Sequence, residues 1–301
     1  MRLIFLGTSS GTPSRERNVS SVALLLDDGA LLLFDCGEGT QHRLQLAPVR
    51  GGAIDAIFLS HLHGDHVYGL PGLLATLSMN GRTRPLDVVG PEGTAEYVEA
   101  TLRTSFHNPS FEVRVSLPPF RGDGYTVTAA PLEHSVPCLG YLFAEDERPG
   151  KFDVEKAKAL GIAPGPAYAE LIRANDARVL GPSRPGRRIA YCTDTRPCEN
   201  AVQLARDADV LIHESTYGTE LTTEAHERYH STAVDAARVA AEAGARRLLL
   251  THFSTRYGDV TPLVEQARSV FAATEAAADL VAFEVPRVPR SSSGSSAHDA
   301  P

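Results

Sequence analysis

The sequence is poor in cysteine and has no long apolar run. Its 301 residues include four cysteines, at positions 36, 138, 192 and 198, and no two of them form a Cys-x-x-Cys pair. A chain of this length needs no disulfides for stability, so we expect reduced thiols, with those at positions 36 and 192 in the core. No run of 18 apolar residues occurs, so no membrane-spanning helix is predicted. No signal peptide is recognisable, and a cytoplasmic location is the default expectation.

The sequence also has fewer basic than acidic residues. The 29 Lys and Arg residues are outnumbered by 37 Asp and Glu, for a net charge of −8. This balance argues weakly against a nucleic-acid partner, because polyanion binding relies on Lys and Arg. Binding depends on local fields, however, and residues 171–188 hold five arginines and one aspartate, a net charge of +4. Such a segment is also compatible with an ordinary solvated loop.

Hydrophobic patterning predicts strands and helices that alternate in both halves of the chain. Short apolar runs at residues 31–34, 56–59 and 188–192 are typical of buried strands. Helices are predicted at residues 40–46 and 232–243. This alternation predicts an α/β protein in which two sheets face each other, with helices outside.

Residues 145–188 differ from the rest in composition. They are rich in Gly, Pro and charge and interrupt the two core-like halves, so we interpret them as an inserted flexible arm. The catalytic domain is then expected to cover residues 1–289 on either side of the arm. Residues 290–301 are Ser-rich and polar, and the sequence predicts a disordered tail.

A dense group of metal-binding side chains follows the predicted strand at residues 56–59. It consists of His61, His63, Asp65 and His66. Imidazole and carboxylate together suit zinc or manganese and do not suit calcium. A loop at the end of a buried strand is both anchored and exposed, which favours a ligand platform. The alternative is a loop of solvated polar residues, which three histidines and one aspartate within six positions after a buried strand disfavour.

These four ligands are too close together to share one ion comfortably. His61 and His63 can face one ion while Asp65 and His66 turn toward a second. We expect Gly64 to provide the backbone freedom for that bend. The sequence therefore favours two metal ions.

Three further candidate ligands stand at the ends of strand-like runs: His134, Asp194 and His252. A single histidine is more often structural than a ligand, but the cluster upstream shifts the balance. Two ions that share a carboxylate lie roughly 3.5–4 Å apart and hold a hydroxide between them. Asp194 is the expected bridge, because a carboxylate has two oxygens.

This ligand pattern resembles the metallo-β-lactamase superfamily, which implies hydrolytic chemistry but no particular substrate. Other motifs narrow the resemblance to the ribonuclease Z family, whose members process the 3′ end of tRNA. They are Phe5-Leu6-Gly7-Thr8, Phe34-Asp35-Cys36-Gly37-Glu38-Gly39-Thr40-Gln41, Pro13-Ser14-Arg15-Glu16-Arg17-Asn18, His213-Glu214-Ser215-Thr216, His230-Ser231-Thr232 and Thr251-His252-Phe253-Ser254-Thr255-Arg256-Tyr257. Residues 148–168 are similar to the family's Gly-Pro-containing arm. Arg15 replaces the family's Lys, and Ser215 replaces its Ala.

The resemblance implies a four-layer αβ/βα sandwich with an inserted arm that grips tRNA. It implies two Zn²⁺ per subunit, a homodimer, no membrane partner, and precursor tRNA as the substrate. Cleavage would leave a 3′-hydroxyl on the tRNA and a 5′-phosphate on the trailer. The family's substrate contacts correspond here to Arg15, Arg17, Asn18, Gly165 and Pro166.

Three residues are expected to handle protons during phosphodiester hydrolysis. Asp65 can accept the proton of the attacking water as well as bind metal. His230 is the candidate donor to the leaving oxygen, and Ser231 or Thr232 can cap the helix that follows it. Glu214 could hydrogen-bond His230 and keep it protonated. Without the resemblance, an ordinary polar pair that supports the helix is as plausible an interpretation.

Two other functions remain open at this point. One is a small-molecule phosphodiesterase or arylsulfatase of the same superfamily, although such an enzyme would need neither the arm nor the loop at residues 13–18. The other is a tRNA-binding protein without catalysis, which the complete ligand set disfavours.

Overall fold

The computed structural model of this protein describes residues 1–287. The predicted tail at residues 290–301, and the last residues of the predicted catalytic domain, lie outside the described residues. The chain divides into two compact units. The first contains Met1–Ala144 and Arg188–Val285, and the second is built on Glu145–Arg187. No described helix is both long enough and apolar enough to cross a membrane.

Two seven-stranded sheets form the first unit within the described residues. The first sheet has the order β14-β1-β2-β3-β4-β5-β6, with β3 to β6 mutually parallel and the remaining neighbours antiparallel. Its strands are β1 (Arg2–Gly7), β2 (Ser21–Leu25), β3 (Leu31–Phe34), β4 (Ile54–Phe58), β5 (Leu86–Val89), β6 (Val113–Ser116) and β14 (Ala282–Glu284).

The second sheet has the order β13-β12-β11-β10-β9-β8-β7, and β10 to β13 are mutually parallel. Its strands are β7 (Phe120–Gly122), β8 (Tyr125–Leu132), β9 (Cys138–Glu145), β10 (Arg188–Cys192), β11 (Val210–Glu214), β12 (Leu248–Thr251) and β13 (Thr274–Ala276). The β9 strand pairs antiparallel with β10.

Most helices of this unit pack against the outer face of one of its sheets. They are α1 (Thr40–Leu46), α2 (Gly64–Val67), α3 (Gly69–Met79), α4 (Thr94–Thr104), α7 (Glu199–Leu204), α8 (Thr222–Glu227), α9 (Ala233–Glu242) and α10 (Thr261–Arg268). Short 3₁₀ helices occur at Gly51–Ala53 and Thr219–Leu221.

Three apolar layers hold the sheets and helices together. The middle layer joins residues of both sheets, such as Phe34 and Phe58 with Tyr141 and Tyr191. One outer layer packs the first sheet against α1 and α3, and the other packs the second sheet against α7, α9 and α10. Two mixed sheets with helices outside are the arrangement of the metallo-β-lactamase fold, so the predicted fold class is confirmed.

Several elements coincide with the prediction from sequence, and others were not predicted. The helix at residues 40–46 and the strands at residues 31–34 and 188–192 have the predicted bounds. The unpredicted β9 strand is mostly buried on both faces, so its sequence does not alternate in the way that marks a half-buried strand. Residues 64–67 form a one-turn helix rather than the expected loop.

The second unit contains two short helices, α5 (Val154–Ala159) and α6 (Pro166–Arg173). The side chain of Asp153 accepts hydrogen bonds from the first amides of α5, and a proline begins α6. At the base of the unit, Arg148 and Arg184 exchange two backbone hydrogen bonds of 2.9 Å. Whether this segment behaves as a flexible arm stays a prediction.

The charge of the second unit is more balanced than the arginine-rich stretch suggests. Glu145–Arg187 holds seven acidic and eight basic residues. Arg187 is 4% exposed in its side chain and binds the Glu145 carboxylate at 2.9 Å, and Arg178 binds Asp176 at 2.6 Å. Two of the five arginines counted in the sequence are therefore already engaged by carboxylates of the same unit.

A candidate two-metal centre

The candidate ligands lie just beyond the carboxyl ends of strands in both sheets. The group that begins at His61 follows β4, Asp194 follows β10, and His252 directly follows β12. His134 follows β8, and Glu214 is the last residue of β11. Because the carboxyl ends of neighbouring parallel strands meet at one edge, residues far apart in sequence converge there.

Backbone conformation marks the same edge of the fold. Asp35, Asp194 and His252 have positive φ values of 59°, 52° and 57°, in the left-handed region that non-glycine residues rarely adopt. Each such residue costs about 1–3 kcal/mol, which the surrounding structure must offset. Strain of this kind concentrates at functional sites.

The structure does not give Gly64 the role expected of it. Gly64 is absent from the described residues with positive φ, so it does not supply a left-handed bend. A β-carbon at this position would lie 2.2 Å from the ring of Tyr68. Tyr68 is an exposed side chain that can rotate away, so this contact does not by itself require glycine.

The first group of possible metal ligands contains His61, His63 and His134. Nδ1 of His63 lies 3.0 Å from Nε2 of His61 and 3.3 Å from Nε2 of His134. Bonds of about 2.0–2.1 Å to a tetrahedral zinc ion would separate ligand nitrogens by roughly 3.3 Å. The three nitrogens therefore have the spacing of ligands around one ion.

The second group contains Asp65, His66, Asp194 and His252. Oδ2 of Asp65 lies 3.3 Å from Nε2 of His66 and 3.5 Å from Nε2 of His252. Both Nε2 atoms are buried and have no hydrogen-bond partner. Buried nitrogens that face carboxylates without partners are the arrangement expected of metal ligands.

The carboxylate of Asp194 faces both groups. Its Oδ1 lies 3.3 Å from Nε2 of His66 and 3.1 Å from Nε2 of His252. Its Oδ2 lies 3.8 Å from Nε2 of His61 and 3.9 Å from Nε2 of His134. One oxygen per group is the geometry of a carboxylate that bridges two metal ions. The residues present thus fit a two-metal centre.

The electrostatics of the centre also favour cations. Although burial lowers the pKa of His66, the carboxylates of Asp194, Asp35 and Asp65 raise it well above its usual value. Burial raises the pKa of Asp194, but neighbouring imidazoles, first that of His252, hold it well below its usual value. Divalent cations would satisfy the same demand for positive charge.

Asp35, which was not predicted as a site residue, orients two candidate ligands through the Nδ1 side of their imidazoles. It is fully buried, and its carboxylate accepts hydrogen bonds from Nδ1 of His66 at 2.8 Å and the hydroxyl of Tyr191 at 2.7 Å. The amide and hydroxyl of Ser60 donate to it at 2.7 and 2.9 Å, and that hydroxyl lies 3.0 Å from Nδ1 of His61. With Nδ1 as the donor, Nε2 is left free for metal. An aspartate directly after a buried strand is the signal that could have identified it.

Glu214 organises the opposite side of the centre. It is fully buried and accepts hydrogen bonds from the Thr195 amide at 2.7 Å, the Thr216 hydroxyl at 2.7 Å and the Ser231 amide at 3.1 Å. Oγ1 of Thr216 lies in turn 3.0 Å from Nδ1 of His252. Glu214 therefore orients a candidate ligand through one hydroxyl.

The same carboxylate binds His230. Nδ1 of His230 lies 2.9 Å from Oε1 of Glu214. Burial lowers the pKa of His230, but the adjacent Glu214 carboxylate outweighs it and raises that pKa to about 9. Thr232 and Asp235 form a capping box at the start of α9, directly after His230. The imidazole is thus both fixed in place and held in the protonated form.

A cavity of about 490 Å³ gives access to these groups. Its lining includes the candidate ligands His63, Asp65 and Asp194 together with His230 and Tyr229. This volume is in the range typical of ligand sites.

Two of the predicted substrate contacts in the loop at residues 13–18 form hydrogen bonds with other parts of the protein. Arg17 donates to the backbone oxygens of Ser254 at 3.2 Å and Tyr257 at 2.6 Å. Asn18 donates through its side chain to the backbone oxygen of Glu38 at 2.7 Å. Arg15 is exposed. Arg17 and Asn18 therefore make hydrogen bonds within the protein, and contact of Arg15, Arg17 and Asn18 with substrate stays a prediction.

Asp279, which we did not predict as a site residue, anchors the same loop. It accepts a hydrogen bond from the Asn18 amide at 2.8 Å, from the Thr8 hydroxyl at 2.8 Å and from Arg43 at 2.8 Å. The amide of Gly11, which precedes the loop, donates to Oδ2 of Asp65 at 2.8 Å. The segment that leads into the loop is thus hydrogen-bonded to a candidate metal ligand.

Gly165 and Pro166, the other predicted substrate contacts, belong to the second unit. Both are exposed, and they form the start of α6, where Gly165 has a φ of 147°.

Comparisons with known proteins agree with this geometry. Residues 1–116 match the family model described as anti-Pycsar protein Apyc1, and residues 172–253 match the beta-lactamase superfamily domain. The chain is 45% identical to a curated ribonuclease Z of Nostoc sp., over 95% of this chain and 96% of that protein. It is also 45% identical to a ribonuclease Z of Methanosarcina mazei, over 96% and 99% of the two chains. The crystal structure of the short form of human tRNase Z has a TM-score of 0.70 and 29% identity, and covers 95% of this chain and 100% of that one.

Proposed function

The chain belongs to the ribonuclease Z family, and we propose that it is a zinc-dependent endonuclease that removes the 3′ trailer from precursor tRNA. As a member of this family it is a hydrolase that acts on phosphodiester bonds in RNA. The observation that carries the proposal is the carboxylate of Asp194, whose two oxygens face two separate groups of metal-binding side chains.

We assign one zinc ion to each of the two groups, with Asp194 shared. The first ion would be held by His61, His63 and His134, and the second by Asp65, His66 and His252. Nitrogen and carboxylate ligands of this kind suit zinc. When bound, the two ions would activate a water molecule and neutralise charge on the phosphate.

Asp65 is positioned to accept a proton. It is one of the ligands that line the cavity, and the Gly11 amide holds its Oδ2 by a 2.8 Å hydrogen bond. A carboxylate placed there can take the proton of the attacking water and keep the nucleophile oriented.

His230 serves as the proton donor to the leaving oxygen. Its Nδ1 is occupied by Glu214, so Nε2 remains for substrate, and the residue lines the same cavity. The buried Glu214 carboxylate favours the imidazolium, which is the form that can donate. The leaving oxygen is the 3′-oxygen of the mature tRNA, so the tRNA keeps a 3′-hydroxyl and the trailer a 5′-phosphate.

We propose that the second unit, Glu145–Arg187, is the site that grips the tRNA body. The support is its likeness to the family's arm and its exposed basic side chains, such as Arg173 and Arg184. The family resemblance also supports a homodimer and a cytoplasmic location. Size-exclusion chromatography with light scattering tests the first, and cell fractionation tests the second.

Cleavage of one precursor tRNA that lacks an encoded CCA, followed by mapping of both product ends, tests the function. We expect a single cut, a 3′-hydroxyl on the tRNA, a 5′-phosphate on the trailer, and about two zinc ions per chain by elemental analysis. Cleavage of small phosphodiesters alone would support the alternative of a small-molecule phosphodiesterase. RNA binding without any cleavage would support a catalytically silent protein.

A further inference from the structure

One wall of the cavity carries an aromatic ring that the chemistry above does not use. Tyr229 lines the cavity and is 36% exposed. The guanidinium of Arg196 lies over its ring, 4.8 Å from the ring centroid, and is itself held by Glu133 at 2.7 Å. The ring is therefore supported on one face and still accessible to solvent and ligand.

The backbone at this position is strained. Tyr229 has a φ of 60°. Glycine and asparagine adopt this conformation readily, whereas it costs a bulky residue about 1–3 kcal/mol of strain. Its backbone oxygen lies 3.3 Å from Nδ1 of His134. Among the described residues its hydroxyl has no hydrogen-bond partner. Glycine or asparagine would supply this backbone shape at lower cost, so the backbone conformation does not account for a tyrosine at this position.

A second aromatic residue of the cavity shows why Tyr229 is distinctive. Tyr217 also lines the cavity and also has an arginine over its ring, with Arg256 at 4.8 Å from the centroid. Tyr217 is only 4% exposed, so neither face of its ring is accessible to a ligand. Of the two rings, Tyr229 alone can stack on a ligand.

We propose that Tyr229, backed by Arg196, is the stacking platform for the base of the last nucleotide of the mature tRNA. The inference rests on the proposed function. His230, the next residue, donates a proton to the 3′-oxygen of that nucleotide, and both residues line the same cavity. Stacking uses the π face that every base has, so this contact would position the scissile bond in precursors of different sequence.

The test combines enzyme variants with substrates that lack one base. Tyr229→Asn removes the ring but tolerates the left-handed backbone, and Tyr229→Phe keeps the ring without its hydroxyl. Phe106→Asn is the matched control, because Phe106 also has a positive φ, of 51°, and is 97% exposed but is not among the residues that line the cavity. The substrates are a precursor tRNA and two abasic forms, one at the last mature nucleotide and one at the first trailer nucleotide.

We expect Tyr229→Asn to lower kcat/KM on the intact precursor by about 5- to 140-fold, the range for loss of one base–aromatic stack. The same substitution should have little effect on the precursor that is abasic at the last mature nucleotide, and its full effect on the other abasic form. Tyr229→Phe and Phe106→Asn should behave like the wild type, with unchanged zinc content in all variants.

If Tyr229→Asn lowered kcat/KM equally on the intact precursor and on both abasic forms, the stacking role would be overturned. It would also be overturned if the effect disappeared only on the precursor that lacks the trailer base. An unchanged rate for Tyr229→Asn on a precursor that the wild type cleaves would also overturn it, without touching the proposed function. Failure of the wild type to cut the precursor would instead count against the proposed function itself.

Discussion

Several polar groups of the candidate metal centre are fully buried, whereas the charged side chains of the Glu145–Arg187 unit are largely exposed. His61, His66, Asp35 and Glu214 have no accessible surface, and each is oriented by hydrogen bonds from neighbouring segments. In the second unit the charged side chains are mostly exposed, and most of its ion pairs, such as Arg178 with Asp176, lie at the surface. Buried polar groups must find hydrogen-bond partners within the protein, so the loss of one partner at the centre is costly. Ion pairs at the surface contribute little to the free energy of folding.

The largest expected effect comes from Asp194→Ala, which removes the shared carboxylate. We expect zinc content to fall sharply and hydrolysis of every phosphodiester to drop by several orders of magnitude, because each 1.36 kcal/mol of lost stabilisation slows the reaction tenfold. Elemental analysis and activity on both precursor tRNA and bis(p-nitrophenyl) phosphate measure this. Asp123→Ala, at an exposed turn, is the control. Full activity of Asp194→Ala would contradict the two-metal assignment.

His230→Ala separates proton transfer from metal binding at the same centre. Loss of a general acid lowers kcat by about 100- to 10,000-fold. Zinc content should stay at the wild-type level, since His230 binds Glu214 and is not one of the assigned ligands. If zinc content fell in parallel with the rate, the proton-donor role would be wrong.

Asp35→Asn tests whether the buried network behind the ligands tunes the metal. The asparagine oxygen can still accept hydrogen bonds, but its NH2 group would face a donor, and the charge that orients His66 is lost. We expect zinc affinity or activity to fall by about 10- to 100-fold, as is typical for partners of metal-binding histidines. A chelator titration compares the variant with the wild type, and an unchanged midpoint would limit Asp35 to a purely steric role.

Replacement of residues 149–183 by Asn-Gly removes most of the second unit and leaves the first intact. Arg148 and Arg184 already form an antiparallel backbone pair, which a two-residue turn can close. Cleavage of precursor tRNA should weaken and lose salt sensitivity, by about 0.7–0.9 in log–log slope for each lost phosphate contact. Hydrolysis of bis(p-nitrophenyl) phosphate should persist, and equal loss on both substrates would reject the tRNA-gripping role.

The smallest effect is expected from Glu145→Gln within the second unit. Burial raises the pKa of Glu145, but hydrogen bonds from Arg187 and Arg287 outweigh it and lower that pKa from 4.5 to about 2. Because the folded-state pKa is the lower one, this stabilisation is present above about pH 4.5 and is lost as the pH falls toward 2. The variant should open Glu145–Arg187 more readily, by about 1–3 kcal/mol at neutral pH, in hydrogen exchange. Unchanged exchange would show that the pair contributes nothing.

The metal centre was easier to predict than the arm for a physical reason. Histidine and aspartate after short apolar runs indicate ligands, because strand ends are the places where a folded chain exposes anchored side chains. In the arm, a net charge of +4 for residues 171–188 overstated the basic character. Arg187 is buried against Glu145, which lies outside that stretch. Charge counts over a window cannot include partners that folding brings from elsewhere.

One interpretation changed, and one group of residues gained contacts that could not be predicted. Gly64 was expected to allow a bend, but its φ is not positive. Arg17 donates to backbone oxygens more than 200 residues away, and Asn18 donates to one that is 20 residues away. Hydrogen bonds between separate segments of the chain cannot be read from local sequence.

The sequence by itself determined the chemistry of this protein. Donor atoms are properties of residue types, and their places after β4, β8, β10 and β12 follow from apolar runs that can be read locally. Only the tertiary structure decided which group His134 and His252 join. It turned the two oxygens of Asp194 to opposite sides, placed Asp35 behind His66, and left the ring of Tyr229 open in the cavity. These features depend on distances between segments far apart in the chain, which packing sets and local pattern does not encode.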